Sequence, residues 1–290
     1  MPNIEWNKSY WINDIQIFNE GLSRKHYPNE KYYGDRWGEV EKDPVLKSIK
    51  EKFILPFVNE NKSVLEIGPG GGRWTKYLLN CNKLYCLDLN PQSLDYVKNR
   101  FSSQNNITYI LNKGNDFPNI PKSSIDFICS FGTFVHFDIG MIVDYLCNMI
   151  SILSNNSDVV IQYSEKKKKE GLKNKSYGSN TSEVMNKMVT DLGFLVHTDE
   201  IELRPDCNLI HFSKNDKINS QMEKNDPGNI VTKSYKTILN RLPDEDGFEF
   251  FTNQLKRKNL LEKELKVLLV KSDEYKTNLE NLFTNIINNQ

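Results

Sequence analysis

The sequence has little of what marks a membrane-spanning or exported chain. No run reaches the roughly 18 consecutive apolar residues that a transmembrane helix needs. The N-terminus also lacks a basic stretch followed by an apolar one. The five cysteines are odd in number and show no CxxC spacing, a pattern typical of buried thiols in a reducing compartment. We therefore expect a cytoplasmic protein with no membrane span.

Net charge and histidine are scarce as well. Lys plus Arg and Asp plus Glu both number 38, so no overall field attracts nucleic acid, and we expect no nucleic-acid partner. Only four histidines occur, none four residues from another, and no carboxylate–histidine cluster is visible along the chain. Since metal sites need such clusters, we predict no metal.

Apolar segments of strand length recur through the middle of the chain and alternate with helix-length segments. The RPDC turn between the last two indicates an antiparallel hairpin at a sheet edge. We therefore expect an α/β fold with a seven-stranded, mostly parallel sheet covered by helices on both faces. The predicted strands are Val64–Ile67, Leu84–Leu89, Ile107–Leu111, Ile125–Phe131, Val159–Tyr163, Leu195–Leu203 and Asn208–Phe212.

The pattern changes towards the C-terminus. Residues 214–228 lose all apolar periodicity and end in Pro-Gly, which predicts a linker. Beyond it the spacing of apolar residues is helical only. We expect an N-terminal helical lid segment (1–50), the α/β domain (51–213), this linker, and a small all-α domain (229–290).

A glycine-rich loop follows the first predicted strand, in VLEIGPGGGRW. A P-loop needs Gly-Lys followed by Ser or Thr, but Gly72 is followed by Arg73 and Trp74. A dinucleotide fingerprint needs its third glycine where Arg73 stands. What remains is a GxGxG pattern at Gly68, Gly70 and Gly72, with Glu66 two residues before it.

An acid beside this loop repels a pyrophosphate but suits a cationic amino-acid group. S-adenosylmethionine carries an ammonium and a sulfonium and no phosphate. Glycines let backbone amides approach its carboxylate, and the helix expected after the loop would favour that carboxylate through its N-terminus. The pattern therefore predicts S-adenosylmethionine as the ligand. An ordinary tight strand-to-helix turn is the alternative.

Further polar residues follow the second and third strands. Asp88 ends the second strand, where a carboxylate can accept hydrogen bonds from both ribose hydroxyls. Asp116, with Asn115 beside it, follows the third and can accept from the adenine amino group. Together with the glycine loop, these positions resemble class I S-adenosylmethionine-dependent methyltransferases over roughly residues 50–213. The resemblance implies that family's Rossmann-like fold and cofactor.

The segment SFGTFVHFD follows the fourth strand and should face the transferred methyl group. It resembles an SFxxFVH-type stretch of related enzymes, many of which have Asp where this chain has Gly132. Phe131 is a predicted cofactor contact, and His136 is the candidate general base for an acceptor hydroxyl. The alternative is that His136 caps the helix beginning at Asp138 or packs against it.

The aromatic N-terminal stretch is a second candidate for the cofactor site. Tyr33, Arg36 and Trp37 offer stacking and anion contacts, so this stretch can form a lid. Packing of an N-terminal helix against the sheet explains Trp37 equally well.

The run Lys166–Lys169 favours a solvated loop, although its position after the fifth strand also suits an anionic acceptor. In the segment after it, which resembles the same methyltransferase group, Tyr177 and Asn180 are predicted to line the acceptor pocket with Tyr163.

The C-terminal helical segment resembles a small domain of uncharacterised function that is often attached to bacterial surface-polysaccharide proteins. The resemblance rests on Tyr235, Arg241, Pro243, Asp244, Gly247, Ser272, Glu274 and Tyr275. We expect a methyltransferase acting on a small-molecule or glycan hydroxyl, the glycan following only from this association. A non-catalytic S-adenosylmethionine-binding or scaffold protein is the alternative. The sequence carries no signal for oligomeric state.

Overall fold

The computed structural model describes residues 4–21, 31–200, 204–214 and 226–289. Within these ranges one sheet holds seven strands in the spatial order β3-β2-β1-β4-β5-β7-β6. Strands β1 to β5 pair in parallel, whereas β7 pairs antiparallel with both β5 and β6. The strands are β1 (Ser63–Ile67), β2 (Lys83–Asp88), β3 (Ile107–Leu111), β4 (Ile125–Ser130), β5 (Leu153–Ser164), β6 (Phe194–Glu200) and β7 (Cys207–Lys214). The predicted seven-stranded, mostly parallel sheet is confirmed.

Helices flank the sheet, and those that the structure describes are α1 (Ile4–Asn19), α2 (Pro44–Phe53), α3 (Pro91–Arg100), α4 (Ile139–Met149), α5 (Lys169–Lys173), α6 (Ser182–Asp191), α7 (Pro227–Leu239), α8 (Glu245–Lys256), α9 (Glu262–Lys271) and α10 (Asp273–Asn288). Capping side chains fix where two of them begin. Asn90 accepts from the backbone amide of Gln92 at the start of α3, and Asp138 accepts from that of Met141 at the start of α4. No helix in the described ranges combines the length and apolarity needed to cross a bilayer.

The centre of the sheet explains where a site can form. β1 lies between β2 and β4, and its Val64, Leu65 and Ile67 are at most 1% exposed. Burial of each such side chain stabilises the fold by about 1.5–3 kcal/mol. From β1 the chain passes to β2 on one side and reaches β4 on the other, so the strand order reverses here. Such a reversal leaves a crevice at the carboxyl ends of β1 and β4.

Several predicted boundaries differ from the structure. β5 begins at Leu153 instead of Val159, and β4 ends at Ser130 instead of Phe131. The helix predicted after the glycine loop is wrong, because only a single 3-10 turn, Thr75–Tyr77, follows the loop. The predicted end of the sixth strand at Leu203 lies outside the described residues, as does most of the predicted linker.

The C-terminal helices contact the helices of the sheet region directly. The hydroxyl of Tyr275 on α10 donates to Asp191 of α6 at 2.8 Å. The ammonium of Lys276 lies 2.9 Å from the carboxylate of Asp144 on α4. Buried side chains of α7, α9 and α10 join the same apolar cluster as α4. The predicted division of the chain into segments stays a prediction, but the C-terminal helices share a core with the sheet region.

Candidate functional site

A cleft of about 590 Å³ opens at the carboxyl ends of β1 and β4, where the strand order reverses. Its wall includes Gly68 and Gly70 of the glycine loop and Asp88 at the end of β2. Phe131 and His136, from the segment after β4, lie on the same cleft. The structure therefore brings together residues that lie up to 68 positions apart in the sequence.

The glycine loop bends through conformations that side chains rarely adopt. Gly68 has φ +72°, and a Cβ there would lie 2.0 Å from the hydroxyl oxygen of Thr133, so the loop and the segment after β4 touch. Gly70 has φ +55°, but a Cβ there would meet nothing within 4 Å, because this position faces the cleft. The bare backbone of Gly70 is thus accessible to a ligand. Gly72, with φ +82°, lies against Phe101 and is not on the cleft wall.

Glu66 lies behind the loop instead of on the cleft wall. Its side chain is 3% exposed, and its Oε2 accepts from the Thr75 hydroxyl at 2.6 Å. The thiol of Cys86, its partner in the β1–β2 register, lies 4.0 Å from the same oxygen. Burial raises the pKa of Glu66 to about 7, and the bond from Thr75 opposes this rise. Glu66 therefore supports the loop from below, which differs from the predicted direct contact.

Asp88 does lie on the cleft wall. Its Oδ1 accepts from the backbone amide of Asn90 at 2.8 Å, and the amide of Gly70 also bonds to the carboxylate. Burial raises the pKa of Asp88 to about 7, while these amides act in the opposite direction. The carboxylate is therefore positioned by backbone donors beside the open glycine and becomes protonated near neutral pH.

Asn115 and Asp116 do not lie on the cleft wall. The Asp116 carboxylate accepts from the backbone amide of Lys113 at 2.6 Å, closing its own turn. The amide of Asn115 donates to Asp144 of α4 at 3.2 Å. Gly114, directly before Asn115, packs against Ile4 of α1. Both side chains organise this turn, and their predicted role toward adenine stays a prediction.

Aromatic rings line the side of the cleft formed after β4. Phe131 is 7% exposed and stacks on Trp74 with ring centroids 4.5 Å apart. The backbone amide of Gly132 donates to Gln162 of β5 at 2.9 Å. This hydrogen bond therefore fixes the backbone at Gly132, the position where related enzymes often have Asp.

His136 is buried beside two further aromatic rings. Its Nδ1 lies 2.9 Å from the carbonyl oxygen of Ser176, and because a carbonyl only accepts, Nδ1 carries the proton. Burial lowers the pKa of His136 to about 4, so the ring is neutral at physiological pH. Nε2 is then the unprotonated nitrogen. The rings of Trp11 and Tyr177 pack edge-on against the imidazole at 4.9 and 5.4 Å.

The N-terminal segment covers the cleft, and sequence reasoning missed how it does so. Asn7 of α1 donates to the backbone carbonyl of His136 at 3.1 Å, and Trp11 packs on the imidazole. The carbonyl of Tyr33 lies against Gly71, where an added Cβ would be 1.8 Å away. Trp37 is 41% exposed and lies at the rim, 5.8 Å from Trp11. The density of aromatic residues before position 40 is the signal that pointed to this segment.

The prediction of a solvated lysine run agrees with the exposure of Lys167 and Lys169 but is wrong for Lys166 and Lys168. The ammonium of Lys166 donates to the carbonyls of Gly171 and Asn174 at 3.0 and 2.8 Å. The ammonium of Lys168 donates to those of Arg204 and Cys207 at 2.6 and 2.9 Å. The ammonium groups of Lys166 and Lys168 therefore stabilise this region by hydrogen bonds to its backbone carbonyls.

The three residues predicted for the acceptor pocket separate in the structure. Tyr177 lies on the cleft wall and donates to Asp206 at 3.1 Å. Tyr163 and Asn180 are fully buried away from it, and Tyr163 donates to Asp199. Of the predicted set, only Tyr177 lines the cleft.

A carboxylate–histidine cluster also forms, away from the cleft. Asp158, His197 and His211 stand on the neighbouring strands β5, β6 and β7, with potential ligand atoms within 4.8 Å of one another. The prediction of no metal depended on the lack of such a cluster along the chain. The structure removes the basis of that prediction, because strand pairing brings residues as far apart as Asp158 and His211, 53 positions along the chain, into one cluster.

Comparison with known proteins gives the class to which this fold and cleft correspond. Residues 64–156 match the family described as "Methyltransferase domain". This segment is therefore similar to a methyltransferase domain, and it lies on a Rossmann-like sheet. That segment includes the glycine loop, Asp88 and His136.

One curated relative is the ribosomal RNA small subunit methyltransferase A of Prochlorococcus marinus (strain MIT 9301). It is 35% identical over 95 residues, which are 32% of this chain and 32% of the relative. The chain thus matches about a third of the length of this relative. The match supports the domain, and the activity of the whole protein is a proposal.

Two solved structures share the fold. A complex of DhpI with SAH superposes with a TM-score of 0.51 at 13% identity, covering 74% of this chain and 98% of that one. The PH0226 protein of Pyrococcus horikoshii OT3 gives 0.50 at 11% identity, covering 62% and 96%. At these identities the two structures show a shared fold and no more. The match to a methyltransferase domain and the residues of the cleft support S-adenosylmethionine as the cofactor.

Proposed function

We propose that this protein is an S-adenosylmethionine-dependent methyltransferase that methylates a hydroxyl group of a small molecule or glycan. The observation that carries the proposal is the cleft itself, on which Gly70, Asp88, Phe131 and His136 meet. Its volume of about 590 Å³ lies in the range of cofactor sites, about 300–1,000 Å³.

The cleft residues fit a cationic adenosyl amino acid. The open backbone at Gly70 can approach the ligand, and Asp88 beside it can accept hydrogen bonds from ribose hydroxyls. The Phe131 ring adds an apolar surface. When bound, S-adenosylmethionine supplies a methyl group on a sulfonium, which is electrophilic enough for in-line displacement.

His136 is the residue that we assign to the acceptor. The bond from Nδ1 to the Ser176 carbonyl fixes the tautomer, so Nε2 has a free electron pair for an acceptor hydroxyl proton. Because the pKa of His136 is about 4, the ring stays in its accepting form at neutral pH. A low pKa also makes it a weak base, so its contribution includes orienting the hydroxyl as well as removing the proton.

The aromatic lining beside His136 supports a small acceptor group. Trp11, Trp37 and Tyr177 line the cleft, and the rings of Trp11 and Tyr177 pack against His136. A hydroxyl on a single sugar or a small molecule suits this aromatic rim. The glycan assignment comes from the resemblance of the C-terminal helices to a domain of polysaccharide-related proteins. Since the curated relatives include ribosomal RNA methyltransferases, the expectation of no nucleic-acid partner lacks support, and RNA belongs among the acceptors tested.

The test is to incubate the full chain with S-adenosylmethionine and three acceptor classes: sugars, small hydroxyl compounds and ribosomal RNA. Formation of S-adenosylhomocysteine is followed by mass spectrometry, and cofactor affinity by calorimetry. We expect turnover with a sugar or small hydroxyl compound. Turnover only with RNA would contradict the acceptor class. Tight binding without turnover on any acceptor would favour the non-catalytic alternative.

A further inference from the structure

The cluster on the outer strands of the sheet has the composition of a transition-metal site. We propose that Asp158, His197 and His211 bind one divalent first-row cation, with Zn²⁺ the preferred occupant. This inference goes beyond methyl transfer, because none of the three residues lies on the cleft wall.

Strand pairing brings the three residues to one face of the sheet. Asp158 of β5 pairs with Ser213 of β7, and His211 stands two residues before Ser213, so both point to the same face. On β6 the register shifts between Val196 and Thr198, which leaves His197 as the extra residue of a bulge. The rings of His197 and His211 then lie 4.6 Å apart.

The distances are close to those of a bound ion. His211 Nε2 lies 2.8 Å from Asp158 Oδ1, and the potential ligand atoms of all three residues lie within 4.8 Å. Ligands at about 2.0–2.2 Å from a tetrahedral zinc are roughly 3.3 Å apart, so small side-chain rotations suffice. The fourth position can be taken by water or by the Ser213 hydroxyl, which is 2.8 Å from His197 Nε2.

The chemistry of the ligands selects the class of cation. Two imidazoles with one carboxylate suit Zn²⁺, Cu²⁺, Ni²⁺ or Co²⁺, whereas Mg²⁺ and Ca²⁺ require oxygen ligands. The Phe57 ring packs 4.9 Å from the His211 ring and shields one side of the site. The bound ion would join β6, at the edge of the sheet, to β5 and β7.

The experiment uses the full chain treated with EDTA and then titrated with ZnCl₂ in the presence of a weak competing chelator. Bound metal is counted by elemental analysis, and Co²⁺ in place of Zn²⁺ reports ligand geometry by its visible absorption. We expect one ion per chain and cobalt bands of a four- or five-coordinate site. His197→Ala should weaken binding at least about tenfold, since it removes a ligand.

The matched control is His136→Gln, which also removes one histidine but acts at the cleft and leaves the cluster intact. Because His197 is exposed, its replacement should leave the fold intact, as circular dichroism will check. If the alanine variant fails to fold, His197→Gln takes its place in the same titration. No saturable binding by the original chain, unchanged binding in the folded His197 variant, or a loss of binding only in His136→Gln would each overturn the proposal.

Discussion

The charge state of Asp88 should make cofactor binding depend on pH near neutrality. Burial raises the pKa of this carboxyl to about 7, and only the ionised form offers both oxygens purely as acceptors to the two hydroxyls of a ribose. Because a bound ribose favours the ionised form, the affinity for S-adenosylmethionine should reach its plateau above about pH 8 and should fall as the pH drops through 7. For one group of this pKa, the affinity at pH 6 should be about tenfold lower than at pH 8.

The assay is calorimetry with S-adenosylmethionine at pH 6, 7 and 8 in buffers of different ionisation enthalpy. At pH 7 we expect proton release on binding, about half a proton per site. The amino group of the ligand titrates in the same range, but it does so for every variant. The ratio of the affinities of the unsubstituted chain and Asp88→Asn therefore cancels the titration of the ligand and reports the effect of Asp88 ionisation alone. At pH 8 this substitution should weaken binding by roughly 10- to 100-fold, the loss of hydrogen bonds to a charged group.

The control for this prediction is Glu66→Gln. Burial also raises the pKa of Glu66 to about 7, yet its side chain bonds to Thr75 and does not line the cleft. This variant should therefore keep the tenfold change of affinity with pH. If Asp88→Asn kept that change, or if the unsubstituted chain showed none, the assigned role of Asp88 would be refuted.

Three other substitutions test the remaining parts of the site. His136→Ala should lower turnover by about 100-fold or more while cofactor affinity changes little, measured by S-adenosylhomocysteine formation and calorimetry; unchanged turnover would remove His136 from the chemistry. Gly71→Ala places a Cβ 1.8 Å from the backbone of Tyr33 in the N-terminal segment, so this substitution should weaken cofactor binding. Gly193→Ala is the control, because that position has open space around it and the substitution should only lower stability through the φ of +84°. Lys168→Met leaves two backbone carbonyls without their donor, so it should lower the free energy of unfolding, measured in urea, by about 1–3 kcal/mol. If the free energy fell no more than in the exposed control Lys169→Met, the structural role of Lys168 would be contradicted.

The order of the strands, and the presence of most helices, could be predicted from local patterns. The apolar run at Val64–Ile67 and the cap formed by Asn90 and Pro91 both lie within a few residues, and short-range rules describe such features well. The glycine loop also carries its own signal, because positive φ values at Gly68 and Gly70 require glycine. Asp88 was predictable from its neighbours as well, since it is the acid that ends the apolar run of β2.

Side-chain direction was harder to predict than position. Glu66 is in the predicted place but points to Thr75, because β1 is covered on both faces and alternate residues point to opposite faces. Lys166 and Lys168 looked like a solvated run, yet their ammonium groups satisfy backbone carbonyls of the loop. The presence of a charged residue in a sequence does not indicate which groups its side chain will contact in the folded protein.

The sequence by itself determined the strand and helix order, the bare loop at the first strand and the acid that follows the second, because each depends on neighbours along the chain. Only the tertiary structure decided that α1 covers the cleft beside His136 and that Asp158, His197 and His211 meet on one face. These contacts join residues up to 129 positions apart. They depend on which strands pair and which helix packs where, and that information is distributed over the whole core.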